Sequence, residues 1–174
     1  MLELLKELVP AATVIGVLAQ QGQGYDRAVV DEAARLLKLQ LHYAPEVQQP
    51  QDIEPAFEAM KRAGAQAVHV IGGTVIYLQR QAVVELELRH RLPGMHFSSD
   101  HVRAGGLMSY GTDLGAQFRR SAWFVARILN GAKPAELAVE QPARMALAIN
   151  SKTAKALALA IPQSMLLRAD EVIE

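Results

Sequence analysis

Short apolar runs rich in β-branched residues alternate along this chain with amphipathic segments, and only brief polar breaks separate them. That alternation constrains the fold more than any other feature. Strands joined by short helical connections pair in parallel through right-handed crossovers, which lays helices on both faces of one sheet. Thr13–Ala19 is a continuous apolar run of the kind buried on both faces of a parallel sheet. Gln20–Gly24 is a glycine-containing loop, and Val29, Ala33 and Leu37 share one face of a helix over about 25–37. Leu39–Ala44 alternates as a second strand, and Ile53, Phe57 and Met60 mark the inner face of a second helix ending near Gly64. Ala67–Ile71 reads as a third strand closed by Gly72 and Gly73. A helix spans roughly Tyr77–His90, and a fourth strand, Met95–Ser98, follows Pro93. Leu114, Phe118, Ala122, Val125 and Leu129 stripe a long helix that stops before Gly131. Met145–Ile149 is a late strand, Asn150 or Ser151 caps the helix after it, and the tail from Pro162 is expected to run along the surface. No internal repeat or low-complexity linker divides the 174 residues, so 1–174 reads as a single α/β domain.

Composition narrows the function classes. With no cysteine, thiol nucleophiles, disulfides and thiolate zinc sites are excluded. Lysine and arginine equal the acidic residues, 18 against 18, so no net field draws nucleic acid or an anionic membrane, and no nucleic-acid partner is expected. The first ten residues carry Glu3, Lys6 and Glu7 at helical spacing instead of a secretory apolar stretch. No run is long enough to cross a bilayer. As written, the chain is expected to stay in the cytoplasm.

In open parallel sheets, ligands sit beyond the carboxyl ends of the strands. Three loops belong there: 20–25 after the first strand, 72–74 after the third and 98–100 after the fourth. Each is rich in amide, hydroxyl or backbone donors suited to a polar small molecule. The simpler reading is that their glycines only permit tight turns. Gly22 and Gly24 suggest a dinucleotide loop, but the third glycine that fingerprint needs is replaced by Arg27, and no Walker lysine follows a glycine loop. No cofactor is assigned. His42, His69 and His96 fall inside strands, where packed or satisfied core histidines are commoner than catalysts. A small hydrolase or metal enzyme would have to use His96, Asp100 and His101. Without an HExxH helix or a GxSxG elbow, neither a catalytic residue nor a metal ligand is assigned.

Beyond these patterns, a set of ordered segments resembles the tryptophan/tyrosine-type ABC transporter substrate-binding family. The segments are Leu5–Pro10, His90–Pro93, Ala104–Gly111, Phe118–Arg120, Ile128–Pro134, Val139–Pro142, Ile149–Ala156, Ile161–Pro162 and Leu167–Ile173. The resemblance implies one flavodoxin-like lobe, the second, of a type I periplasmic-binding fold, in which two lobes hinge around a small solute and pass it to a membrane permease. The full-length family is periplasmic or extracellular. Its asparagine-proline loop after the first strand is replaced here by Gln20–Gly24, and its aspartate-proline-like loop after the third by Gly72–Thr74. On this reading Gln20, Gln21, Gly73, Thr74, Ser98 and Asp100 contact the solute, an amino acid or similar polar molecule. Ser109, Tyr110 and Gly111 lie near the hinge. The long helix would normally pack on the first lobe. Alone, it is expected either to fold back on this sheet or to pair two chains through 113–129. The competing reading is a stand-alone flavodoxin-like domain, dimeric through that helix and without ligand, serving assembly or regulation.

Overall fold

The structure, a computed structural model, describes residues 1–140 and 145–174. Its strands are β1 (Val14–Ala19), β2 (Gln40–Tyr43), β3 (Ala67–Gly72), β4 (Gly94–His96), β5 (Met108–Thr112), β6 (Met145–Asn150) and β7 (Glu171–Ile173). Its helices are α1 (Leu2–Leu8), α2 (Arg27–Leu36), α3 (Ile53–Arg62), α4 (Thr74–Leu78) and α5 (Arg80–His90), followed by α6 (Ser99–Arg103), α7 (Leu114–Leu129), α8 (Ser151–Ala156) and α9 (Gln163–Arg168). Gln141 and Pro142 of the Val139–Pro142 segment lie outside the described residues.

One sheet runs in the order β2-β1-β3-β4-β5-β6-β7. The first five strands are parallel to their neighbours, as the alternation requires. β6 departs from the expected parallel pairing and lies antiparallel to β5, with Gly111 opposite Ala146. The physical reason is the connection: α7, none of whose residues is buried, does not pack on a sheet face as a crossover helix between β5 and β6 would. β7 pairs parallel to β6 at the edge.

Core residues divide between the two faces. On one face Leu2, Leu5, Leu8, Ile15, Met108 and Met165 pack together, and on the other Leu18, Phe57, Met60, Val68, Ile76 and Val83 do. Consecutive residues of β3, Ala67 and Val68, enter opposite clusters, as the period of two demands. This is the doubly covered sheet that the unbroken apolar runs foretold. Local signals begin the helices: Asp26 accepts from Ala28 N at 3.0 Å, Asp113 from Ala116 N at 3.0 Å, and Asn150 from Thr153 N at 3.0 Å.

Several expectations change. The span 77–90 is not one helix. α4 begins at Thr74, and at Gln79 the backbone leaves the helical region (φ −94°, ψ 20°) before α5 starts. The fourth strand ends at His96, because Ser98 turns its hydroxyl onto Asp100 N, 3.3 Å away, and starts α6. Ser109–Gly111, expected near the hinge, lie on strand β5 (Met108–Thr112). The tail from Pro162 does not wander: α9 seats Met165 fully in the core, and β7 completes the sheet. Nor does α7 fold back on the sheet. None of its sixteen residues is buried, and Phe118 and Leu129 are 74% and 81% exposed.

Candidate functional site at the carboxyl edge of the sheet

Because β1, β3 and β4 are parallel neighbours, the loops that follow them emerge at one edge. The structure then ties these loops to one another. Gln20 reaches from the end of β1 to accept from Val75 N at 2.7 Å, which satisfies an open donor at the start of α4. Gly73 makes room for it. Its φ of 126° lies where side chains are rarely tolerated, and a Cβ there would stand 2.4 Å from the Cβ of Gln20. The loop after β3 meets the loop after β4 through Gly72, where a Cβ would lie 3.2 Å from the Phe97 ring. Tyr77 of α4 donates its hydroxyl to Asp100 Oδ2 at 2.6 Å.

The residues expected at the site are therefore distributed as follows. Gln20, Gly73 and Thr74 are brought together at the start of α4. Ser98 is buried and engaged as the cap of α6. Asp100 accepts from Tyr77 and from Arg103 Nη1 at 3.1 Å, while Arg103 also grips Glu171 of β7 at 2.7 and 3.0 Å. The Tyr77 hydroxyl, and after it Arg103, holds the Asp100 carboxyl below its usual range, although burial opposes this. Gln21 stands apart: its amide donates to Val47 O at 3.0 Å and its side chain is exposed. Ser109, Tyr110 and Gly111 lie on β5, opposite Ala148, Leu147 and Ala146 of β6.

Sequence reasoning passed over Tyr77 and Phe97. The available signal was an aromatic residue directly after a strand, beside the loop residues already singled out. An open groove of about 390 Å³ runs beside this cluster, lined by Leu78, Arg80, Gln81, Asp100, Arg103 and Ala104. A larger one of about 640 Å³ lies between α3 and α5, remote from the loops and lined by charged residues such as Glu54, Arg62 and Glu85. Of the two, the smaller groove includes a residue expected at the site, Asp100.

Behind the edge the histidines are sealed. His96 and His101 are wholly buried and stacked, with ring centroids 4.7 Å apart, and His96 Nε2 lies 3.1 Å from Glu87 Oε2 in the core. Among the described residues neither ring nitrogen of His101 finds a hydrogen-bond partner. Burial, with the neighbouring His96 adding to it, pushes the His101 imidazole down to about 3, and burial pushes His69 to about 4. Asp100 is committed to Tyr77 and Arg103, so His96, Asp100 and His101 do not converge on an accessible point as an active site requires. Among the described residues no group of three histidine, aspartate or glutamate side chains is arranged to hold a metal ion, and no helix is long and apolar enough to cross a membrane.

Comparison with known proteins bears on the fold and the family. An ABC domain from Streptococcus pneumonia, solved in complex with L-Trp, is 26% identical with a TM-score of 0.86. A conserved domain protein from Vibrio cholerae is 23% identical with a TM-score of 0.83. A ligand-free, open substrate binding protein with adhesive properties from Clostridium difficile is 18% identical with a TM-score of 0.67. The first two comparisons cover 98% of this chain and the third 99%, but in all three the match spans only 58% of the other chain. A comparison with curated protein sequences finds no match. The family model for ABC transporter substrate binding protein matches residues 1–173, and the chain belongs to that family.

Proposed function

We propose that this lobe binds a small polar solute, an amino acid or a molecule of that kind, at the carboxyl edge of its sheet, as the binding component of an ABC-type uptake system. The observation that carries the reading is the linkage of the three strand-end loops through Gln20 with Val75, Gly72 with Phe97, and Tyr77 with Asp100. Such linkage pre-orders a polar surface before a solute arrives, which lowers the cost of binding. Thr74 and the backbone of the 72–74 loop offer hydroxyl and N–H groups for a carboxylate. Asp100, ionised and anchored, offers an acceptor for an ammonium group. The relative solved with L-Trp supports the amino-acid class. A second lobe closing over this one, a membrane permease as recipient, and Ser109–Gly111 as part of the flexing connection complete the reading. Calorimetry with a panel of amino acids and sugars tests it: heat and a thermal upshift with at least one amino acid are expected, and silence throughout at millimolar concentration defeats it.

The bare stripe on α7 favours a second reading, in which this helix is an interface. Phe118, Val125, Ile128 and Leu129 are all exposed on one helix, a patch that a solitary soluble domain seldom leaves open. The partner is either the remainder of a longer protein or a second copy of this chain. Light scattering that finds only monomer at high concentration eliminates the second copy.

A further inference from the structure

Glu87, His96 and His101 form a polar cluster inside the core, where the carboxylate meets one ring and the two rings stack. Two glycines make room for it. A Cβ on Gly94 would lie 2.4 Å from the Glu87 carboxylate oxygens, and one on Gly106 would lie 2.8 Å from His96 Nε2. Burying such groups costs free energy that hydrogen bonds must offset. Yet among the described residues Glu87 Oε1, His96 Nδ1 and both ring nitrogens of His101 are buried without a partner. Of the three residues, only His101 stands on an element that can leave by itself. Glu87 lies within the eleven-residue α5, and His96 is on β4, which is paired on both sides. His101 belongs to the five-residue α6, which Ser98 caps and which Gly105, at a φ of 109°, follows closely. α6 is held down by Tyr77 through Asp100, by Glu171 through Arg103, by Asn150 Nδ2 donating to Val102 O at 3.2 Å, and by Thr153 Oγ1 donating to Gly105 O at 2.7 Å.

We propose that this cluster is an acid-sensitive latch: uncharged, His101 keeps α6 seated, and its protonation releases α6 and the 98–100 loop from the sheet edge while the rest of the fold stays intact. The surroundings of His101 set the direction. Burial foremost, then His96 of β4 and Arg80 at the start of α5, disfavour a charge on its ring, and Asp100 of α6 favours one. The remaining charged or titratable groups are committed elsewhere: Glu87 of α5 to His96, Tyr77 of α4 to Asp100, and Arg103 of α6 to Asp100 and Glu171. Tyr110 of β5 packs with the first core cluster. Asn150 of β6 and Thr153 of α8 do not titrate. Seated, the imidazole titrates at about 3, and released into water it regains its ordinary 6.5. Lowering the pH from 7.5 to 5 therefore favours the released state about thirtyfold. Release breaks the Tyr77–Asp100 link, so acid unmakes the pre-ordered loop edge whether or not a solute binds there.

The test is amide hydrogen exchange, followed by NMR on the 174-residue chain at pH 7.5 and pH 5 and corrected for intrinsic exchange at each pH. The amides of His101, Ala104, Gly105 and Gly106 donate to Ser98 O, Asp100 O, Val102 O and His101 O, so release of α6 exposes them. The amide of Ala44, bonded to Val17 O, reports on β1 and β2. The opening constant of the α6 amides is expected to exceed that of Ala44 at both pH values and to rise about thirtyfold at pH 5. In His101→Phe that rise is expected to be lost. If His101→Phe fails to fold, His101→Leu, which also lacks a titratable ring, is expected to lose it. Opening constants for α6 and Ala44 that are equal and move together overturn the latch, because acid then acts on the whole fold. An α6 opening constant that ignores pH overturns it too, as does a thirtyfold rise that persists in either variant.

Discussion

His101 has both ring nitrogens buried without a partner among the described residues, and its burial makes it sensitive to acid in a calculable direction. In the fold its imidazole titrates at about 3 and that of His69 at about 4, against an ordinary value of 6.5. Below 6.5 the unfolded chain takes up protons that the folded chain refuses. Stability is therefore complete above that pH and declines as pH falls from 6.5 toward 4 and 3. At pH 5 the loss is about 2 kcal/mol for each of the two histidines. Urea denaturation at pH 7.5 and pH 5 checks this, and His101→Phe is expected to flatten the dependence. Asp100 works through hydrogen bonds instead of burial. Its lowered carboxyl contributes stability above its unfolded value, and that contribution disappears as pH falls through the folded one. Tyr77→Phe removes the foremost cause, so an NMR titration of Asp100 is expected to move up toward 3.8. At Gly111, alanine would drive a methyl group into the Phe97 carbonyl, and a destabilisation of about 1–3 kcal/mol or more is expected on denaturation.

Among the elements, legibility followed periodicity. β2, α2 and α3 announce themselves by a period of two or 3.6, β1 and β3 by continuous apolar runs, and Gly64 marks the end of α3. α6 and β7 are five and three residues long, too short to display a period, and β5, with its glycine, serine and tyrosine, shows no strand pattern, so Ser109–Gly111 is expected only near the hinge. Its burial comes from the strands on either side, which no local pattern records. α9 is the clearest instance. Six residues gave no sign of docking, yet Met165 is wholly buried against the first core cluster. Met165→Ala is therefore expected to cost about 2–5 kcal/mol, as for other buried methionines. Leu129→Ser on the far longer α7 is expected to cost almost nothing in the isolated chain, because Leu129 is exposed. Paired urea denaturation curves distinguish the two.

At the scale of the molecule, the described residues form a closed two-faced core with α7 left uncovered. Trp123, the sole tryptophan, lies on that helix, 40% exposed, with Arg120 stacked over its ring at 3.8 Å. Its fluorescence therefore reports on α7 alone. In the isolated chain, emission is expected to be quenched readily by acrylamide, and covering α7 with a partner is expected to shift it to the blue and protect it. Quenching already suppressed in dilute solution would mean that the stripe is covered without a partner.

The amino-acid sequence by itself determined the α/β class, the parallel β1–β4 block, the two-faced core and the loops eligible to meet a ligand, because hydrophobic period and helix caps act over a few residues. Only the tertiary structure decided that β6 runs antiparallel to β5, that α7 lies off the core, and that Gln20 bridges to Val75. It also placed Phe97 between Gly72 and Gly111. Those outcomes depend on distances between segments remote in the chain, where two backbones can approach only if a side chain is missing and a buried donor must find whichever acceptor the packing brings to it.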